Sequence, residues 1–249
     1  MHVKPYKTHK IKAGDDIYQI LDQFLPTLEE KSVVAVTSKI VGICEGRLVK
    51  AESEEQKFKL AEEEADYYLP PEENQYGIML SINHNLMVAS AGIDASNSDG
   101  YFSLWPKDPQ KSTDAIREYL VKKHKLKHLG VILTDSKLSP LRWGVTGYAV
   151  THSGFKAFNS YIGKPDLFGR RMHMEQANVM DSLASTSVAV MGEGAEQQPL
   201  AVITDASFVE FQDRKPNQEE LDALTIDIKD DVYASMLSAV SWRKGRKGS

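Results

Sequence analysis

The sequence predicts a fold that mixes helices and strands without strict alternation, of the mixed α/β or α+β class. Two short apolar runs at 78–80 and 86–89 are typical of paired strands, with Asn83-His84-Asn85 as a polar turn between them. Other strand-like runs follow or precede helical patterns instead, at residues 33–36, 131–133 and 200–203. A chain with both hairpins and helix crossovers favours α+β over a regular parallel sheet.

Helical periodicity predicts the remaining elements. After Asp15-Asp16, an acidic pair that suits a helix start, apolar residues recur at helical spacing as far as Leu28. Residues 53–68 are rich in Glu and Lys and predict an exposed helix that Pro70-Pro71 terminates. Further helices are predicted at residues 113–123, 174–190, 218–224 and 231–240.

Bulk composition narrows the class of protein. At 249 residues and 41% hydrophobic content, the chain is expected to form one domain over residues 1–249, or two interwoven subdomains. A net charge of −5 gives no general attraction to nucleic acid or anionic lipid, so neither is an expected partner. Cys44 is the only cysteine, which excludes an internal disulfide, and no apolar run is long enough for a membrane span. These features predict a cytoplasmic protein.

Three carboxylates stand out because each follows an apolar element and lies among small residues. Asp94 follows Gly92 and precedes Ala95-Ser96-Asn97, Asp135 lies between two hydroxyl residues, and Glu193 lies between Gly192 and Gly194. Small residues allow close approach of a ligand, and backbone amides between glycines can contact phosphate oxygens. Magnesium and manganese prefer oxygen ligands of this kind. Taken singly, an Asp after a strand is more often a turn or helix cap.

Common signatures of other chemistries are missing. There is no P-loop, and Gly192-x-Gly194 lacks the third glycine of a dinucleotide loop, so a nucleotide site must be of another type. Lys39, directly after a strand, is a candidate cation for a phosphate group. Cys44 has no His partner in sequence and is expected to pack as a small apolar residue, while His124 and His128 fit a solvated helix end. Catalysis by a protein nucleophile is therefore not predicted.

Several segments together resemble the coenzyme F420-0:gamma-glutamyl ligase family. Residues 37–47 are similar to its "SKIVSKAEGR" segment, residues 91–97 match "AGIDASN", and Leu104, Pro106, Asp108 and Pro109 follow "LP..DPD". Residues 130–136 with Arg142, Gly144, Thr146 and Gly147 resemble "GVIITDT...R.G..G". Residues 161–163, 166–170 and 191–193 complete a resemblance that runs in order from about residue 14 to about residue 204.

The resemblance implies an intertwined α+β fold of mixed sheets with flanking helices, a homodimer, and binding of GTP with two Mg²⁺ or Mn²⁺ ions. By position, the metal ligands would be Asp94, Asp135, Ser136 and Glu193. Nucleotide contacts would come from Ser38, Lys39, Asn97, Met191, Gly192 and Gly194, within a phosphate-binding loop over residues 191–198. Asp135 and Arg142 would act in catalysis.

The implied reaction is GTP-dependent ligation of L-glutamate to a cofactor carboxylate through an acyl phosphate. Two departures from the family pattern remove a cation each: Ile43 replaces a lysine, and Lys137-Leu138-Ser139 replaces a triplet that carries an arginine. Because of these departures, the acceptor could be a folate such as tetrahydrofolate instead of the deazaflavin cofactor. The protein could also be a non-catalytic nucleotide-binding homologue. A purely structural module is disfavoured, because small-residue loops around three carboxylates have no packing rationale.

Overall fold

The computed structural model describes residues 1–246, so residues 247–249 of the predicted domain lie outside the described residues. The helices are α1 Ile17–Phe24, α2 Ser38–Cys44, α3 Glu54–Glu64, α4 Pro109–His124, α5 Val179–Met191, α6 Gln218–Asp222 and α7 Ala234–Leu237. The strands are β1 His2–Tyr6, β2 Ser32–Thr37, β3 Leu48–Lys50, β4 Tyr67–Leu69, β5 Leu80–Asn83, β6 Leu86–Ala89, β7 Tyr101–Ser103, β8 Leu129–Leu138, β9 Val145–Ser153, β10 Phe158–Ser160, β11 Gln176–Asn178, β12 Leu200–Thr204 and β13 Arg243–Lys244.

A central sheet with strand order β1-β12-β2-β8-β9 organises the fold. Strands β2 and β8 are parallel, and the other neighbours are antiparallel, as expected for strands that are joined both by crossovers and by a hairpin. Both faces of the sheet are covered: α4 contributes Ile116 and Leu120 to the core on one face, and α5 contributes Leu183 to the core on the other. The apolar composition of β2 follows from this two-sided burial.

A second sheet with strand order β13-β4-β5-β6 packs with α3 around a smaller core that includes Ala61, Met79 and Phe102. Strands β3 and β7 form a separate antiparallel pair. The predicted hairpin is present as β5 and β6, but its first strand covers Leu80–Asn83 instead of 78–80 because Asn83 pairs with Leu86, and the turn consists of His84 and Asn85 in the left-handed conformation. The α+β class with mixed sheets and flanking helices is confirmed.

Several boundaries differ from the sequence prediction. The helix predicted over 53–68 ends at Glu64, because residues 67–69 pair with β5 and the two prolines follow a strand instead of a helix. The helix predicted at 174–190 begins only at Val179, where the Asn178 side chain accepts a hydrogen bond from the Asp181 amide. The predicted helix at 231–240 shrinks to α7.

The most consequential difference concerns β8 and the end of β2. Asp135 and Ser136 do not follow a strand; they lie within β8, which continues to Leu138 because its outer half pairs with the unpredicted strand β9. Ser38 and Lys39 begin helix α2 immediately after β2. Among residues 1–246, no helix combines the length and apolar character that crossing a bilayer requires.

One stability prediction arises from the core. His152 on β9 is 1% exposed, and burial lowers its pKa to about 4. As pH falls below about 6.5, His152 becomes protonated in the unfolded chain but stays neutral in the folded protein until about pH 4. Stability that is present at neutral pH is therefore lost between these two pH values. The shift corresponds to about 3 kcal/mol of unfolding free energy. Urea titrations at pH 7 and pH 4 should show a smaller loss for His152→Phe than for wild type; equal losses would contradict the assignment.

Candidate active site

A cleft of about 1210 Å³ contains nearly all the residues that the sequence singles out. Its walls include the loop after β6, the middle of β8 and the loop after α5, at residues 92–94, 134–136 and 191–199. The N-terminal segment 8–13 closes part of the wall. Ligand pockets for one small molecule typically measure about 300–1,000 Å³, so this cleft has room for more than one substrate.

Asp135 is positioned by the central sheet. It pairs with Tyr148 across the β8–β9 ladder, and its carboxyl group accepts hydrogen bonds from the indole Nε1 of Trp105 and, at 3.4 Å, from Ser38 Oγ. Burial raises the pKa of Asp135 to about 6, against the lowering effect of the Trp105 hydrogen bond. A carboxyl group held at a cleft wall without a full counter-charge is typical of a functional site.

Asp94 is presented by a strained turn. Ser90, Ala91 and Gly92 have consecutive φ values of 47°, 54° and 82°, in the left-handed region that two non-glycine residues adopt only at a cost. Beyond this turn, the Asp94 carboxylate accepts hydrogen bonds from the amide of Ser96 at 2.8 Å and from its hydroxyl at 2.7 Å. Burial opposes ionisation of Asp94, but the charge of Lys39 and these hydrogen bonds outweigh it and lower its pKa.

Lys39 links the two aspartates electrostatically. Its ammonium group forms an ion pair with Asp94 and also donates to the Ser96 carbonyl at 3.1 Å. The charge of Lys39 lowers the pKa of Asp135, while the charge of Asp94 raises it. Asp94, Asp135 and Lys39 therefore act on one another within a single part of the cleft.

Glu193 approaches the same region from α5. Gly192, with φ of 87°, ends the helix, and both carboxylate oxygens of Glu193 accept from Ser136 Oγ, at 2.7 and 2.9 Å. The Asn97 side-chain amide donates to the Gly194 carbonyl at 3.0 Å, which ties the Asp94 loop to the Glu193 loop. Two separate loops and a strand thus meet through Ser136 and Asn97.

The structure brings most of the predicted site residues together, but not all of them. Asp94, Asp135, Ser136, Glu193, Lys39, Asn97, Met191, Gly192 and Gly194 line the cleft. Ser38 is buried behind Asp135, and Arg142 lies on the exposed turn between β8 and β9, outside the cleft wall. Within residues 1–246, no group of three or more His, Cys, Asp or Glu side chains is arranged to hold a metal ion; Asp94 is paired with Lys39, and Glu193 accepts from Ser136.

Some features of the site were not foreseen from sequence. Trp105 contacts Asp135 from a segment that carries no motif letter at that position, and Ser96 acts as the hydrogen-bond partner of Asp94. The basic residues Lys10 and Lys12 reach the cleft from the N-terminal segment. Only the Ala-Ser-Asn run after Asp94 could have indicated Ser96, because an Asp side chain commonly accepts a hydrogen bond from the backbone amide two residues on, as in an Asx turn.

Comparison with known proteins defines the class. The family described as F420-0:Gamma-glutamyl ligase matches residues 5–205, most of the chain, so this protein is a ligase. It is 31% identical over 207 residues to the Coenzyme F420:L-glutamate ligase of Archaeoglobus fulgidus, which covers 78% of this chain and 82% of the relative. An enzyme of the same name from Methanopyrus kandleri is 28% identical over 232 residues, 86% of each chain. The chain belongs to the F420-0:gamma-glutamyl ligase family.

Proposed function

We propose that the protein joins L-glutamate to a carboxylate of a small cofactor, of the coenzyme F420-0 kind, at the expense of GTP. The observation that carries this proposal is the convergence of Asp94, Asp135, Ser136, Glu193 and Lys39 on one cleft with room for several substrates, in a chain of this family. The oxygen donors and the ammonium group suit a nucleotide's phosphates together with divalent cations. A non-catalytic homologue would have no need to keep this set.

The donor set fits hard divalent cations, Mg²⁺ or Mn²⁺, two per site. All its members are oxygens, the loop with Glu193 follows the C-terminal end of α5 where the helix dipole favours positive charge, and Lys39 already places a cation against Asp94. Asp94, Asp135, Ser136 and Glu193 would hold the ions once Lys39 moves from Asp94 toward the phosphates. Bound there, the ions would neutralise charge on the transferring phosphoryl group.

The reaction needs no protein nucleophile. A carboxylate has no good leaving group, so its oxygen first attacks the γ-phosphorus of GTP, which gives an acyl phosphate and GDP. The neutral amine of glutamate then attacks the acyl carbon, inorganic phosphate leaves with the oxygen of the old carboxylate, and the nitrogen releases a proton to solvent as the amide bond forms. Lys39 would stabilise charge on the phosphoryl group, while the loops over 94–97 and 191–198 orient the nucleotide.

Cys44 is unsuited to act as a nucleophile, which supports a reaction without one. Burial raises the pKa of its thiol to about 12, with further contributions from nearby acidic residues, and its side chain packs against the larger core. At neutral pH almost none of it is thiolate, the reactive form.

The acceptor is tested directly. Purified protein with Mn²⁺, GTP and L-glutamate is incubated separately with F420-0, dihydrofolate and tetrahydrofolate, and products are analysed by mass spectrometry. We expect a product heavier by one glutamyl unit, with one phosphate released per amide, for F420-0. A folate product would favour the alternative acceptor, for which the apolar Ile43 in the cleft wall is the supporting observation. No product with any acceptor, despite GTP binding, would favour the non-catalytic homologue.

We also propose that two copies associate as a homodimer. Large apolar side chains are exposed in two segments, the β8–β9 turn with Leu141 and Trp143 and the excursion between β10 and β11 with Leu167 and Phe168, each at least 90% exposed. A second copy that packed on these segments would remove these apolar side chains from water, which is favourable. The same turn carries Arg142, so a second copy that covers it would bring this arginine to the interface.

Light scattering after size exclusion should give twice the mass of the chain for the wild type. Trp143→Lys and Phe168→Lys should lower this toward the monomer, because each places a charge in the covered surface. Val232→Lys is the matched control: Val232 is 83% exposed but belongs to neither segment, and its variant should stay dimeric. A monomeric wild type would contradict the dimer.

A further inference from the structure

Trp105 is the buried residue with the most direct link to the cleft carboxylates. It is 3% exposed and does not line the cleft, so it cannot touch a substrate bound there. Its indole Nε1 donates a hydrogen bond to Oδ2 of Asp135. The same end of its ring, at Cε2 and Nε1, faces the turn that leads to Asp94.

The contact with that turn is close enough to require glycine. A methyl group added to Gly92 would lie 2.3 Å from Cε2 of the Trp105 ring and 2.5 Å from Nε1, the atom that donates to Asp135. Gly92 also has a φ of 82° and lies two residues before Asp94. The same end of one indole ring therefore contacts both the segment that carries Asp94 and the side chain of Asp135.

We propose that Trp105 is a positioning residue of the ligase reaction, which fixes the separation of Asp94 and Asp135 through its indole N–H and its ring contact with Gly92. This inference rests on the proposed function, in which both aspartates act on the nucleotide's phosphates. Groups that orient ligands from behind typically change metal affinity or activity by about 10–100-fold when they are lost. Packing alone would be served by any large apolar residue, and it would not require the N–H to face a carboxylate.

The first test uses Trp105→Phe, which keeps an aromatic ring but removes the N–H. We expect kcat to fall by about 10–100-fold and the affinity for Mn²⁺, measured by electron paramagnetic resonance of the free ion, to fall by at least about tenfold. KM for glutamate should stay within about twofold, because the residue does not reach the cleft. Phe102→Leu is the control: Phe102 is 3% exposed in the adjoining core and contacts no cleft carboxylate, so this variant should lose thermal stability without losing kcat.

The second test needs no activity and no folded Trp105 variant. In the nitrogen–proton NMR spectrum of wild type, the Trp105 indole signal, assigned by selective labelling, should move on Asp135→Asn and stay in place on Glu193→Gln. A signal unmoved by Asp135→Asn would overturn the proposal, as would a folded Trp105→Phe variant with wild-type kcat and Mn²⁺ affinity. An inactive wild type would instead refute the proposed function, while the NMR result still decides whether the indole holds Asp135.

Discussion

Asp135→Asn is expected to reduce turnover by about a thousandfold or more while leaving the fold intact. Removal of a ligand charge forfeits several kcal/mol of stabilisation of the transferring phosphoryl group, and each 1.4 kcal/mol is about a tenfold change in rate. The fold should survive because the Asn side chain has the same shape and can still accept the hydrogen bond from Trp105. Burial already disfavours the charged form of Asp135, so a neutral amide is tolerated there.

The matched control for this variant is Asp114→Asn. Burial also raises the pKa of Asp114, whose carboxylate accepts hydrogen bonds from Ser153 and Gln110, but it lies outside the cleft. Steady-state rates with saturating GTP, together with urea unfolding curves, separate the two variants. Asp114→Asn should keep wild-type kcat, and Asp135→Asn should keep wild-type stability. Full activity of folded Asp135→Asn would refute a metal role for this residue.

Lys39→Met should lower kcat/KM for GTP by about a hundredfold, the second largest effect. The ammonium group pairs with Asp94 and its charge acts on Asp135, and no other lysine or arginine forms an ion pair with Asp94 among residues 1–246. In the nucleotide complex, its loss would remove a charge that stabilises the phosphoryl group in the transition state. In the free protein, the pKa of Asp94 should rise, because Lys39 is the strongest influence that lowers it.

Steady-state rates at varied GTP concentration check the fall in kcat/KM. A carbon-13 NMR titration of the Asp94 carboxyl group checks the rise in its pKa. Lys50→Met controls for general loss of positive charge, since Lys50 is exposed on β3 and does not line the cleft. Lys39→Arg separates charge from shape: it keeps the charge but not the compact ammonium group, so it should recover part of the activity. Unchanged kcat/KM in Lys39→Met would show that Lys39 serves only to neutralise Asp94.

The sequence prediction and the structure agree where the local pattern of apolar residues matches their final burial. The runs at 33–36 and 200–203 are apolar because the central sheet buries them on both faces, and the spacing of apolar residues in α4 matches the face that it packs on β8 and β9. Strand β9 was missed because its pattern mixes Thr, Tyr, His and Ser, whose burial depends on partners far away in sequence. The sequence predicts residues 67 and 68 as the end of a helix for the same reason: only pairing with β5 makes them part of a strand.

The sequence by itself determined the α+β class and the family resemblance, and it singled out three of the carboxylates that line the cleft, because these depend on residue type and local order. Only the tertiary structure decided that Asp135 and Ser136 lie within a strand, that Lys39 binds Asp94, that Trp105 holds Asp135, and that Arg142 lies on an exposed turn. The physical reason is distance along the chain: Lys39, Asp94, Asp135 and Glu193 are separated by dozens of residues, and side-chain contacts between them exist only after the sheet and its loops have formed.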